Sequence, residues 1–324
     1  MEAADDGERR AGGPPGGVMT RTQPGPRSSA FLARTLRTID AQLEATLPRV
    51  VGKRGAPFDG TSAAELRRGQ VDAEGVHDMR VAIRRLRTLL RLARPVYGRF
   101  HSDAVRVSFA RLQQATGDLR DEEALEETLG ELGVKHPAFD AWQERRRGRE
   151  KALRAAVIRR IRTGQLRRPR AMLHALVVLP VDPENDEPLT TFARRSIARA
   201  CKDVEAHREV PPEDVQAMHD LRIAYKKLRY AAEFFAQALP PELAAMAEMA
   251  ARFQKRLGEI HDVDMALAAI RRSRSLEPEA RQLVLAALEN ARARKVRKYK
   301  GELAPPQIVR GADSLISTAS VSER

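Results

Sequence analysis

From Phe31 onward apolar residues recur at helical spacing. Leu32, Leu36, Ile39, Leu43 and Leu47 fall three to four positions apart until Pro48, which marks the expected end of a first helix. The same periodicity predicts helices over 75–97, 101–116, 119–133, 137–163 and 166–178, and then over 189–208, 213–239, 241–257, 261–273 and 277–300. Gly117-Asp118 and Gly258-Glu259 read as helix junctions, a glycine closing one helix and acids opening the next. No stretch alternates with the period of a strand, so the fold class is all-α. Residues 1–29 are rich in Gly, Pro, Arg and Ser without apolar periodicity, the composition of a disordered leader. The acidic, proline-containing stretch 179–188 reads as a linker between a first helical bundle, 30–178, and a second, 189–301. Pro305 and Pro306 end the helical pattern, and 302–324 reads as a flexible tail.

The two predicted bundles contain the same sentence twice. Residues 76–87, VHDMRVAIRRLR, align with 218–229, MHDLRIAYKKLR, at a separation of 142 positions. A second pair, RLQQATGDLRD over 111–121 and RFQKRLGEIHD over 252–262, follows in the same order at a separation of 141. Because the internal spacing is kept to one residue, two copies of one helical unit is the economical explanation.

In the first copy His77, Arg80, Arg84, Arg87, Arg91 and Arg94 are spaced 3, 4, 3, 4 and 3, which strings them along one face of a helix. Val76, Met79, Ile83, Leu86, Leu90 and Ala93 form an apolar stripe displaced by one residue, so the basic row flanks a core seam. The second copy repeats this with His219, Arg222, Lys226 and Arg229 beside Met218, Leu221, Tyr225 and Leu228, before Glu233 interrupts the charge. Like charges at these spacings repel by roughly 0.2–0.5 kcal/mol per pair, about 1–2.5 kcal/mol for the first stripe. A helix selected for stability alone would interleave Glu, yet Asp78 is the one acid between Val76 and Gly98. A polyanion compensates such a row, since phosphate accepts short charge-assisted hydrogen bonds from guanidinium groups. A solvated basic face is the plainer alternative, and its repetition in both copies argues against it. Because the stripe flanks the seam, replacing Arg80 or Arg222 is expected to leave the fold intact.

These motifs, HDMRVAIRRLR and HDLRIAYKKLR, each followed by an RLQ-like stretch, a glycine and an acidic turn, resemble the signature of the CHAD family, the conserved histidine α-helical domain. The resemblance covers residues 30–301. It implies two pseudo-symmetric four-helix bundles forming one CHAD domain with disordered termini, a basic cleft that binds inorganic polyphosphate, and a place at polyphosphate or storage granules. Carried onto this chain, it implicates His77, Arg80, Arg84, Arg87, Arg111 and Arg120 in the first half, to which the stripe adds Arg91. In the second it implicates His219, Arg222, Lys226, Arg229, Arg252 and Lys255. His261 stands where the first copy has Arg120, which makes the charge there dependent on pH.

Composition supports the ligand class and narrows it. The formal net charge of +14 attracts nucleic acid, anionic membranes and phosphate polymers alike. Aromatic residues at 4% supply few platforms for stacked bases, which makes nucleic acid the less favoured partner. No stretch approaches a membrane span, and the single cysteine, Cys201, can form no internal disulfide, so a cytoplasmic location is expected. The dipeptides His77-Asp78, His219-Asp220 and His261-Asp262 invite comparison with HD-type metal-dependent phosphohydrolases. Adjacent helical residues point about 100° apart, however, and the neighbouring arginines repel a cation. The expectation is a binding protein without catalytic residues, metal or cofactor; the oligomeric state is left open.

Overall fold

A computed structural model describes residues 25–52, 73–207, 209–236, 238 and 242–302; the expected leader before residue 25 and the tail after 302 lie outside them. The described chain is helical: α1 (Ser28–Val50), α2 (Ala73–Leu92), α3 (Arg94–Tyr97), α4 (Arg99–Ala115), α5 (Gly117–Gly130), α6 (Pro137–Arg162), α7 (Arg167–Leu176), α8 (Leu189–Glu205), α9 (Val215–Phe235), α10 (Glu242–Arg272) and α11 (Pro278–Glu302). Among the described residues there is no strand, only an isolated bridge between Arg27 and Pro188.

Helix starts and breaks follow local chemistry. The Asp214 carboxylate accepts from the Ala217 amide at 2.9 Å and caps α9. Pro95 removes an amide and crowds the preceding turn, so the expected helix over 75–97 divides into α2 and α3 at Ala93. Pro48, read as a stop, sits instead in the last turn of α1, which runs on to Val50. That helix also begins earlier than Phe31. Asp186 accepts hydrogen bonds from the Ser28 hydroxyl (3.0 Å), the Ser29 amide (2.9 Å) and the Ser29 hydroxyl (2.7 Å), so the acidic stretch between the halves closes the amino end of α1.

The second expected junction is absent: α10 runs unbroken through Gly258. In the first half the break falls at Thr116, whose hydroxyl donates to the Gln113 carbonyl at 2.9 Å and competes with the helix ladder. The equivalent residue in the second half is Leu257, buried in the core and with no such alternative bond. An interior glycine disfavours a helix by only about 1 kcal/mol, less than the apolar burial of Leu257 returns.

Packing unites the halves. The main core extends from Phe31 in α1 to Tyr299 in α11 and takes Val76, Met79, Ile83, Leu86 and Leu90 from α2, all fully buried. Each such side chain contributes roughly 1.5–3 kcal/mol, so this seam outweighs the repulsion along the adjacent basic stripe. A second core joins Leu125, Leu129, Phe139 and Trp142 of α5 and α6 to Val263, Ile270, Val284 and Leu288 of α10 and α11. In chain order α8, α9, α10 and α11 repeat α1, α2, α4–α5 and α6, while α7 packs on α4 and has no counterpart. Helices α2 and α9, which carry the two basic stripes, meet each other, with the Arg85 guanidinium of α2 lying 5.9 Å from the Phe234 ring centre of α9.

Candidate functional site

The first stripe, which runs along α2 and ends at the start of α3, separates into two rows of heptad spacing. Arg80, Arg87 and Arg94 lean onto α4. Arg80 Nη1 donates to the Gln113 carbonyl at 3.1 Å and to the Thr116 hydroxyl, Arg87 Nη1 donates to the Gln113 side-chain oxygen, and Arg94 makes a bidentate bond to Asp103 at 2.7 and 3.0 Å. Arg80 thereby satisfies a carbonyl that the break at Thr116 releases, so it has a structural part that the stripe geometry did not suggest. The alternate members, His77, Arg84 and Arg91, form no hydrogen bond or ion pair among the described residues. The Nε groups of Arg84 and Arg87 are buried without an acceptor among the described residues.

Across from them stand the residues of α9. Lys226, at the repeat position of Arg84, likewise has no ion pair among the described residues, and the Arg222 Nε is buried without an acceptor beside Gly258. Arg229 is held by Glu233 at 2.6 Å, so the acid that interrupts the second stripe also neutralises its last cation. His219 and His261 bring their Nδ1 atoms to 3.4 Å, with ring centres 4.6 Å apart. His77 feels Arg120 as its strongest charged neighbour, so the pairing of positions 77 and 120 in the first half recurs as 219 and 261 in the second.

Between α2 and α4 on one side and α8 and α9 on the other lies a cavity of about 460 Å³ lined by Arg84, Arg87, Arg91, Arg106, Arg195, Arg199 and Lys226, with Ile223 and Ala231 among its apolar walls. Arg106, Arg195 and Arg199 were not foreseen. Arg195 and Arg199 are one turn apart on α8, a helix outside the repeated motifs, and only its packing against α9 turns them toward the stripes. Four of the thirteen expected residues, Arg84, Arg87, Arg91 and Lys226, line this cavity, and nine do not, Arg111, Arg252 and Lys255 among them. Arg111 lies in a separate groove with Arg99 and Arg168, Arg252 is exposed over the Phe253 ring at 5.7 Å, and Lys255 is exposed. Arg120 stands near the inner end of the stripes, close enough to influence His77, Arg80 and Arg222, with Glu127 at 4.0 Å.

The fields of these cations register on one another. Burial, followed by Arg222, Arg84, Arg87 and Arg91, pushes the Lys226 ammonium down to about 8. Burial and Arg84 push Arg80 down to about 10, and burial is also the leading cause that lowers Arg87, Arg91 and Arg222. His261 is driven to about 4 by burial, Arg222, His219 and Lys226, while His77 and His219 are lowered for the same kinds of reason. The histidines are therefore neutral donors and acceptors at neutral pH, and positive charge comes from Arg and Lys. Asp78 and Asp220 of the His-Asp dipeptides turn to Arg49 and Gln216 respectively, and among the described residues no three His, Cys, Asp or Glu side chains converge as metal ligands.

A CHAD domain family model matches residues 60–271. Two solved structures are similar to this chain. The crystal structure of the CHAD domain from the plant Ricinus communis has a TM-score of 0.60 at 21% identity, covering 88% of this chain and 90% of that one. PptA from Streptomyces chartreusis has a TM-score of 0.58 at 17% identity, covering 86% and 97%. No curated protein matches the sequence.

Proposed function

The chain belongs to the CHAD domain family, and on that footing we propose that it binds inorganic polyphosphate in the cleft between α2 and α9, without turning it over. The observation that supports this reading is that Arg84 and Lys226, repeat-related cations on facing helices that line the cleft, have no carboxylate partner among the described residues, whereas Arg94, Arg106 and Arg229 near them each have one. Burying like charges opposite one another destabilises the protein on its own, and a chain of phosphates laid between them reverses the sign of the interaction. Guanidinium and ammonium groups contact phosphate oxygens without reading any sequence, so a polymer lacking bases meets every requirement of the cleft. A place at polyphosphate-rich granules would follow from such binding.

The test is calorimetric titration with polyphosphate of defined length, comparing the native chain with Arg84→Glu/Lys226→Glu. Neither side chain bonds to the fold, so circular dichroism should be unchanged. Each reversal removes a charge-assisted contact worth roughly 1.5–3 kcal/mol and adds repulsion, so affinity should fall on the order of 100-fold or more. A folded double variant with native affinity would refute the assignment. Phosphate release from polyphosphate in the presence of magnesium or manganese, lost on replacement of His77, would instead establish a phosphohydrolase.

A further inference from the structure

The groove that receives Arg111 lies along α4 and α7 and shares no lining residue with the cleft, although its Asp103 bonds Arg94 and Arg106 of the cleft wall. It encloses about 730 Å³ and is lined by Arg99, Phe100, Val107, Arg111, Arg168 and Met172 among others. Phe100 is 80% exposed and Val107 41% exposed. Phe100 and Val107, seven residues apart on α4, are the exposed large apolar side chains that line this groove. Two exposed apolar side chains thus stand beside the arginines of one groove. The repeat does not demand it, because the position equivalent to Val107 is Glu248 and α7 has no counterpart.

The charge of the face is one-sided. Asp103, the acid in the groove, accepts from Arg94 and Arg106 and lies 3.8 Å from Arg99. Arg111 and Arg168 form no ion pair among the described residues. Protruding apolar side chains ringed by arginines fit the boundary layer of an anionic bilayer. There the Phe100 and Val107 side chains reach the acyl region while the guanidinium groups meet lipid phosphates, their stems covering apolar surface.

We infer that the α4–α7 face docks peripherally on an anionic phospholipid surface, at a site separate from the cleft. Co-sedimentation of the full chain with vesicles of phosphatidylcholine plus phosphatidylglycerol should show binding, and vesicles of phosphatidylcholine alone should show little. Phe100→Ser/Val107→Ser, which leaves the net charge unchanged, should weaken vesicle binding by at least about tenfold, the loss expected when two apolar side chains no longer insert. Unchanged polyphosphate affinity in the same variant would confirm that it is folded. Arg84→Met/Lys226→Met should keep vesicle binding while polyphosphate affinity falls. No binding of the native chain to anionic vesicles would overturn the inference. So would vesicle binding that survives Phe100→Ser/Val107→Ser, or a loss of polyphosphate affinity rather than vesicle affinity on Arg111→Ala/Arg168→Ala.

Discussion

Positions 80 and 222 are related by the repeat, both are arginine, and burial lowers both below the ordinary guanidinium range. Their surroundings differ because the helix opposite each of them differs. Against Arg80 the α4–α5 break at Thr116 releases a carbonyl and presents a hydroxyl, and the guanidinium takes both. Against Arg222 the unbroken α10 offers neither; its glycine leaves the Nε buried and without an acceptor. One copy of the signature has committed this cation to holding the fold, and the other has not. The same asymmetry runs along the stripes, since Arg91 has no ion pair among the described residues whereas the equivalent position in the second half is Glu233, which neutralises Arg229.

The largest expected effect separates the two arginines directly. In urea unfolding, Arg80→Met should be more destabilising than Arg222→Met by about 2 kcal/mol, the net worth of hydrogen bonds from a charged donor. In calorimetry the order should invert, with Arg222→Met losing more polyphosphate affinity for less stability. Equal stability losses would erase the distinction between the halves.

Lys226 sharpens the comparison through pH. Its ammonium is held at about 8 in the free protein, below the unfolded value of 10.5, so native burial favours the neutral form. Two opposite trends follow between pH 8 and 10.5. Its contribution to folding stability rises with pH, because the unfolded chain still binds the proton there. Affinity for polyphosphate falls over the same interval, because the ligand needs the ammonium and binding must take up the proton. Lys226→Met should flatten both trends, lower the affinity about tenfold and leave the unfolding midpoint equal or higher. A native affinity independent of pH above 8 would show that this lysine does not meet the ligand.

The smallest effect concerns the backbone. Gly258 lies inside α10, and an added Cβ would meet Arg222 Nε at 3.6 Å, an ordinary contact. Gly258→Ala should therefore stabilise the fold by about 0.5–1 kcal/mol through helix propensity. Gly117→Ala, at the first position of α5, should change it less. A destabilised Gly258→Ala would show that Arg222 needs the room the glycine leaves.

Fold class, the internal repeat and the two facing stripes were legible in the sequence because each is a local periodicity: an apolar seam every three to four residues and a cationic row beside it. Arg84, Arg91 and Lys226, which line the cleft cavity, stand in those rows. The continuity of α10 was not legible, since Gly258-Glu259 has the local chemistry of a junction and only the burial of Leu257 in the shared core overrides it. Nor was the structural engagement of Arg80 and Arg87, the addition of Arg195 and Arg199 from a helix outside the repeated motifs, or the placement of Arg111 in a separate groove. The sequence determined which residues share a helix face. Which of those faces oppose one another, and which cations find an acceptor there, was decided by the packing of α2, α4, α8 and α9, because partners dozens of residues away leave no mark in a local period.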